Sequence, residues 1–374
     1  MRELCLKDLY DGFRDPDVIK ALAYTIEREV KTLSEPLRIM EVCGGHTHTI
    51  MRYGLKQLLP EKIDFIHGPG CPVCIMPKER IDHAIALSQL ESTILLALGD
   101  MIRVPGSKSS LAAERAKGYD IRPLYTPMDA IVIAEENLDK RVIFFAIGFE
   151  TTTPMTAALL AEVEKRKITN LYFHINHVLV PPAIDAIMAD GQAKINAFIG
   201  PAHVSVITGA KIYLPFPKRY GTPVVVSGFE PVDLLQSILM IVRQKNENRS
   251  EVEIEYSRFV TLDGNTKAQE VIEKYMQPRR HFRWRGIGDI PDSALELKEE
   301  YAMYDAERIF ADILPTESID DHKLCICGTI LKGLAKPNDC KVFGKACRPN
   351  SPMGSCMVSS EGACSAYYRY GEIF

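Results

Sequence analysis

No stretch of this 374-residue sequence is apolar for long enough to cross a membrane. Its N-terminus, MRELCLKDLYDGFRDP, is too polar and acidic to act as a signal peptide. Neither sign of charge dominates, and a net charge of −4 supplies no general attraction to nucleic acid or to an anionic membrane. No G-x-x-x-x-G-K-[ST] occurs, and GSKSS (106–110) only approximates a phosphate loop. No cysteine stands between Cys74 and Cys325. The expectation is a cytoplasmic protein with neither nucleic-acid nor membrane partners, in a compartment where structural disulfides are rare. Its cysteines are therefore candidates for metal and redox chemistry: Cys43, Cys71 and Cys74 in one block, and Cys325, Cys327, Cys340, Cys347, Cys356 and Cys364 in another, with Cys5 apart.

What the chain does contain is a series of short aliphatic and β-branched runs, each ending abruptly in Gly, Pro, His, Cys or Thr. They are LRIMEV (37–42), IDFIH (63–67), TILLALG (93–99), RVIFFAIG (141–148), LYFHI (171–175), INAFIG (195–200) and PVVVSG (223–228). Continuous runs of this kind are strands buried on both faces. Amphipathic stretches such as KERIDHAIALSQL, MTAALLAEVEKRK and PVDLLQSILMIVRQK separate them. The alternation predicts an α/β protein with two parallel-sheet, Rossmann-like lobes plus a cysteine-rich, mostly helical or irregular domain. Residues 1–36 are expected to be helices packing with the C-terminal domain, 37–137 the first lobe, 138–244 the second and 245–374 the cysteine-rich domain. A helix in PLYTPMDAIVIAEENLDK (123–140) would cross between the lobes. TKAQEVIEKYM and LELKEEYAMYDAERIF read as charged helices, and PRRHFRWR (278–285) as a solvated or interdomain patch.

Polar residues crowd the ends of these strands, where open α/β sheets form their sites. His46, His48, His67, His174, His177 and His203 lie in or just after them, as do Cys43, Cys71 and Cys74. In EVCGGHTHT (41–49) two glycines allow close backbone approach, and a helix starting near Thr47 would aim its amides at Cys43. A thiolate so stabilised could bind Fe(II); the bland alternative is a buried cysteine before a turn. GPGCPVCIMPKER (68–80) carries a C-x-x-C ahead of a helix, which lowers a thiol's pKa and permits dithiol–disulfide cycling. The alternative is half a zinc site, and no second C-x-x-C completes it. GFETTTPMTAALL (148–160) opens a helix with Thr151 to Thr153 as candidate caps that could also hold an anion or a partner's tail.

The tail reads C-x-C-x12-C-x6-C-x8-C-x7-C, without the tight knuckles of zinc modules. Four thiolates from such loops can hold an iron–sulfur cluster, leaving two for a disulfide. Spacing does not say which four.

EVCGGHTHT, GPGCPVC, GFETTTP, NHVLVPP, GPAHVS, SGFEP and KACRPNSPMGSCMVSSEGAC, in this order along nearly the whole chain, resemble the HypD family of hydrogenase maturation proteins. The resemblance implies a scaffold for the Fe(CN)2CO group of [NiFe] hydrogenases, working with a HypC-type chaperone and a HypE-type cyanide donor. It implies that Cys43 holds the iron being assembled, as Fe(II) carrying CN and CO; His46, three residues on in the same motif, is a candidate catalytic residue beside it. Cys71 and Cys74 would be a redox pair. Cys325, Cys340, Cys347 and Cys364 would hold a [4Fe–4S] cluster, and Cys327 with Cys356 would form a second dithiol/disulfide. A relay from cluster to Cys327–Cys356 to Cys71–Cys74 to iron requires the tail to fold against the first lobe. The competing reading is a cluster-dependent thiol–disulfide reductase acting on a protein partner.

Overall fold

Each expected apolar run forms a strand, and two short strands join them. In the computed structural model, which describes residues 11–371, these are β1 (Leu37–Glu41), β2 (Ile63–His67), β3 (Thr93–Leu98), β4 (Ile121–Leu124), β5 (Arg141–Gly148), β6 (Leu171–His177), β7 (Ala197–Pro201), β8 (Val224–Ser227) and β9 (Val252–Ile254). Cys5 lies outside the described residues. Val142 through Ala146 are wholly buried, as a strand covered on both faces must be. No helix of the described residues is long and apolar enough to cross a membrane.

Two parallel sheets result, with orders β2-β1-β7-β8-β9 and β4-β3-β5-β6. The strands do not group by the boundaries 37–137 and 138–244. β3 and β4 leave the first sheet to pair with β5 and β6, and the chain then returns to place β7 beside β1, with Ile39 opposite Ala197. Strands buried on both faces carry no partner code in their hydrophobicity, so the register decides what composition leaves open. The helix Asp129–Glu136 accordingly packs on the second sheet through Ala130, Ile131 and Ala134 and does not cross between lobes.

The N-terminal helix also departs from expectation. Asp15 caps Pro16–Val30 by accepting the Asp17 and Val18 N–H groups. Its buried Ala23, Ile26 and Val30 face the first sheet's helix Pro231–Asn246, not the cysteine-rich tail. Arg243 of that helix grips Glu29 through two nitrogens, at 3.1 and 3.2 Å.

Beyond TKAQEVIEKYM, helical from Thr266 to Tyr275, an antiparallel hairpin forms from β10 (Met276–Trp284) and β11 (Gly288–Leu297). The sequence reading missed it because only Phe282 and Trp284 of the basic stretch are buried strand residues. The supposed acidic helix begins inside β11 and continues as a 3-10 turn (Glu299–Tyr304) and one helical turn (Ala306–Ile309). The bases of β10 tie the hairpin to the segment that follows it: Arg279 binds Glu307 and Arg283 binds Asp320, while Arg285 just beyond the strand binds Asp321. The cysteine-rich tail follows as short turns and two helices, Cys327–Leu331 and Ala363–Tyr370.

Candidate metal and thiol centre

Cys43, two residues past β1, has extended backbone and caps the helix Gly44–Arg52, so the helix begins earlier than Thr47. Its Sγ accepts the Gly45 N–H at 3.4 Å. The glycines here are steric necessities. A Cβ on Gly44 would stand 2.1 Å from the Glu361 carbonyl oxygen, and one on Gly70 would stand 2.3 Å from both N and Cα of Cys43. The GPGCPVC loop therefore lies directly against the Cys43 backbone. Gly70→Ala is expected to destabilise the protein by about 1–3 kcal/mol through overpacking, measured by urea unfolding, and to lower hydrogenase maturation with it. Unchanged stability would show that the two loops separate easily.

Burial pushes the Cys43 thiol well above its ordinary pKa, and the nearby Glu361 and Glu41 carboxylates push the same way, outweighing the Gly45 amide. The expected amide-stabilised thiolate is thus not what the free protein holds. The imidazole beside the sulfur is His203, with Nε2 at 3.8 Å and Nδ1 at 4.0 Å. His46, the expected partner, turns its Nε2 to the Gly228 and Ser227 carbonyls at 3.0 and 3.3 Å, while its buried Nδ1 has no hydrogen-bond partner. Both rings stack on Phe229. Burial lowers the His46 pKa to about 3 and that of His203 to about 4, so both are neutral at neutral pH.

Glu41 sits at the end of β1, wholly buried, accepting from Thr47 Oγ1 and pairing with His67 Nδ1, each at 2.5 Å. His67 Nε2 in turn meets the Tyr367 hydroxyl at 2.9 Å. Burial raises the Glu41 pKa against the opposing pull of His67. Sequence reading passed over Glu41, Phe229, Glu361 and Tyr367. The one available signal was a carboxylate closing the apolar run LRIMEV.

The tail folds against these strand ends. Ser355 donates its hydroxyl to the Cys74 carbonyl at 2.5 Å, Lys336 pairs with Asp64 on β2, and Tyr367 reaches His67. This brings the two cysteine blocks into one chain of thiols. Cys74 is in hydrogen-bonding contact with both Cys71 and Cys356. Cys356 contacts Cys327 as well. Cys327 in turn meets Cys325 and Cys364. The Cys347 sulfur accepts the Met353 N–H at 3.4 Å, and Cys340 Sγ lies 3.8 Å from the Leu324 carbonyl. All nine described cysteines are free thiols. Burial raises the Cys74 pKa, contrary to the lowering expected for a C-x-x-C at a helix start. The depressed thiol is Cys356, brought down to about 6 by its hydrogen bonds with Cys327 and Cys74.

Gly354 forms a cradle for the tail thiols, since a Cβ there would lie 2.6 Å from the sulfurs of both Cys325 and Cys327. A donor set of cysteines alone, gathered around a glycine, suits an iron–sulfur cluster. Among the described residues no three His, Cys, Asp or Glu side chains converge as a single-ion site.

Other expected residues lie elsewhere. His174 meets His83 at 3.2 Å and Asn176 at 2.9 Å beneath Arg80, while His177 Nε2 meets Thr156. His48 meets the Tyr370 ring edge-on. Thr152 and Thr153 donate to the Phe149 carbonyl and make no side-chain cap. Glu150 accepts the Val180 N–H at 2.8 Å, and burial raises its pKa to about 7. A hollow of about 890 Å³ lies at the opposite end of β1 around Glu29, Leu37 and Arg243, and no thiol lines it. Between Gly44, Gly70, Cys71, Cys74 and Glu361 only about 10 Å³ remains, space for one water.

The model of the "Hydrogenase formation hypA family", HypD, matches residues 17–371. The chain is 50% identical over 369 residues to hydrogenase maturation factor HypD2 of Bradyrhizobium diazoefficiens, covering 97% of this chain and 96% of that protein. It is 49% identical to HypD of Azotobacter vinelandii over 368 residues (97% and 96% of the two chains) and 42% identical to HypD of Escherichia coli K12 over 366 residues (97% and 98%). The chain belongs to the HypD family. It is a hydrogenase maturation factor, and in this HypD chain the two cysteine blocks, distant in sequence, share one end of the first sheet.

Proposed function

We propose that this protein is the scaffold on which the Fe(CN)2CO group of [NiFe] hydrogenases is assembled. The observation carrying the reading is the continuous thiol chain from the tail cysteines through Cys356 to Cys74, next to the loop packed on Cys43. The iron is cargo: Cys43 would hold it together with a thiolate of a HypC-type chaperone, while a HypE-type partner delivers cyanide. A thiol buried among carboxylates gives up its proton more readily to a metal than to water, because the cation offsets the charge that burial and Glu361 disfavour. His203 lies next to that sulfur, and His46 holds the Phe229 side of the site by its backbone contacts.

Cys325, Cys340, Cys347 and Cys364 would hold a [4Fe–4S] cluster, which when bound supplies electrons one at a time. The chain's own thiols carry them onward in pairs. With Cys327 and Cys356 reduced and Cys71–Cys74 oxidised, the Cys356 thiolate attacks the Cys74 sulfur and releases Cys71, which takes a proton. Cys327 then attacks Cys356, passing its proton on as Cys74 is freed. One disulfide has opened, one has formed, and two electrons have moved toward Cys43. Cys356 is suited to attack by its depressed pKa and its simultaneous contact with Cys327 and Cys74.

Anaerobic purification followed by iron, sulfide and zinc analysis tests the reading. About four irons and four sulfides per chain, bleached by dithionite, are expected. Stoichiometric zinc without sulfide would leave the tail structural and end the relay. Rapid turnover of a free protein disulfide without any chaperone would favour the reductase reading instead.

A further inference from the structure

The surface around the tail cysteines differs in charge from the rest of the molecule. Lys323, Lys341, Lys345 and Arg348 are all exposed, and none enters an ion pair among the described residues. The fold gathers them. Lys323 precedes Leu324, whose carbonyl touches Cys340 Sγ; Lys341 follows Cys340. Lys345 occupies the turn closed by the Gly344–Cys347 hydrogen bond, and Arg348 rests its guanidinium on the Gly344 carbonyl at 3.0 Å. Of the nearby acids, Asp320 is held by Arg283 and Asp321 by Arg285 and Lys78, while Asp339 accepts only the Lys336 backbone N–H and keeps its charge, one carboxylate among four cations. Two large apolar side chains interrupt this basic rim, Leu324 at 51% exposure and Leu334 at 39%. A protein with net charge −4 thus presents a small cationic face, with apolar contacts, over one set of thiols.

We propose that this face docks a small acidic protein carrying a one-electron centre. The inference rests on the reading of the tail as a cluster site. Complementary charge would steer the carrier to the edge where Cys340 is partly exposed, and Leu324 would supply apolar contact once it docks. Each encounter oxidises the carrier by one electron. Two encounters, with two protons from solvent, reduce one Cys327–Cys356 disulfide to two thiols. Nucleic acid and membranes fit less well, because the cations are few and confined to the thiol loops.

A reduced plant-type [2Fe–2S] ferredoxin is a suitable acidic probe. Its affinity for the full chain and the second-order rate of electron transfer would be measured at low and high salt. The triple variant Lys323→Glu/Lys341→Glu/Lys345→Glu is expected to weaken binding and slow transfer at least about tenfold at low salt. The control double variant Lys20→Glu/Lys31→Glu, at the N-terminal helix that packs on Pro231–Asn246, should leave both unchanged. At about 1 M salt, where charges are screened within roughly 3 Å, the triple variant and wild type should converge. Equal binding by wild type and triple variant overturns the docking face. So does tighter binding of wild type to anionic phospholipid vesicles or duplex DNA than to ferredoxin. Dithionite separates the two levels: loss of bleaching in wild type defeats the cluster reading, whereas normal bleaching with charge-independent ferredoxin binding defeats only the docking face.

Discussion

Cys74→Ser is expected to retain wild-type iron and sulfide content while hydrogenase maturation falls to background. Cys74 is the thiol through which the tail meets the first sheet, in contact with Cys356 on one side and Cys71 on the other. Serine is close to cysteine in size and keeps a hydrogen-bonding group, so folding and the proposed cluster donors Cys325, Cys340, Cys347 and Cys364 should be untouched. What is lost is the sulfur of the first block that touches Cys356, through which a mixed disulfide between the two pairs would form. The same contact gives a direct physical readout. In the double variant Cys71→Ser/Cys327→Ser, each of the two central thiols loses its alternative partner, and mild oxidation should yield a Cys74–Cys356 disulfide detectable by peptide mass spectrometry. Full maturation by Cys74→Ser, or no crosslink in the double variant, would sink the relay.

The second large effect concerns stability. Glu307→Ala is expected to cost about 3–5 kcal/mol, because it leaves buried guanidinium charge without its carboxylate. Glu307 accepts both Arg80 NH1 and NH2, at 2.5 and 2.9 Å, and both Arg279 nitrogens, at 3.1 and 2.7 Å. Arg80 is only 5% exposed and retains just the Asn176 side chain and the Ile175 carbonyl. Burial alone would raise the Glu307 pKa, but the charges and hydrogen bonds of Arg80 and Arg279 outweigh it and hold the carboxyl far below 4.5. A depressed folded pKa means that the unfolded chain binds the proton first. The stabilisation is therefore complete above the unfolded value and declines as pH falls below it toward the folded one. Urea unfolding of wild type and Glu307→Gln across that acid window should show the difference between them shrinking as pH drops. A constant difference would mean the cluster contributes by packing and not by charge.

This ion cluster also shows why sequence and structure divide the problem as they do. Arg80 belongs to the helix after the C-x-x-C, Arg279 to a hairpin strand and Glu307 to a single helical turn. Nothing local relates them; a charged residue reads the same whether solvated or clamped. The hairpin itself was illegible because its basic outer residues mask the burial of Phe282 and Trp284. His46 was chosen over His203 for the same reason: proximity in the chain to Cys43 is not proximity to its sulfur.

The sequence by itself determined the strands, because runs such as RVIFFAIG can satisfy their backbone polar groups and bury both faces only in a covered sheet. It also determined the family, the clustering of cysteines in the tail and the glycines that let loops meet at Cys43. Only the tertiary structure decided that β3 and β4 leave the first sheet, that the N-terminal helix packs on Pro231–Asn246, and that Cys356 stands between Cys327 and Cys74. Pairing of interchangeable buried strands, and the pKa of a thiol, depend on which distant groups surround them. Hydrophobic periodicity and residue spacing carry no information about those neighbours.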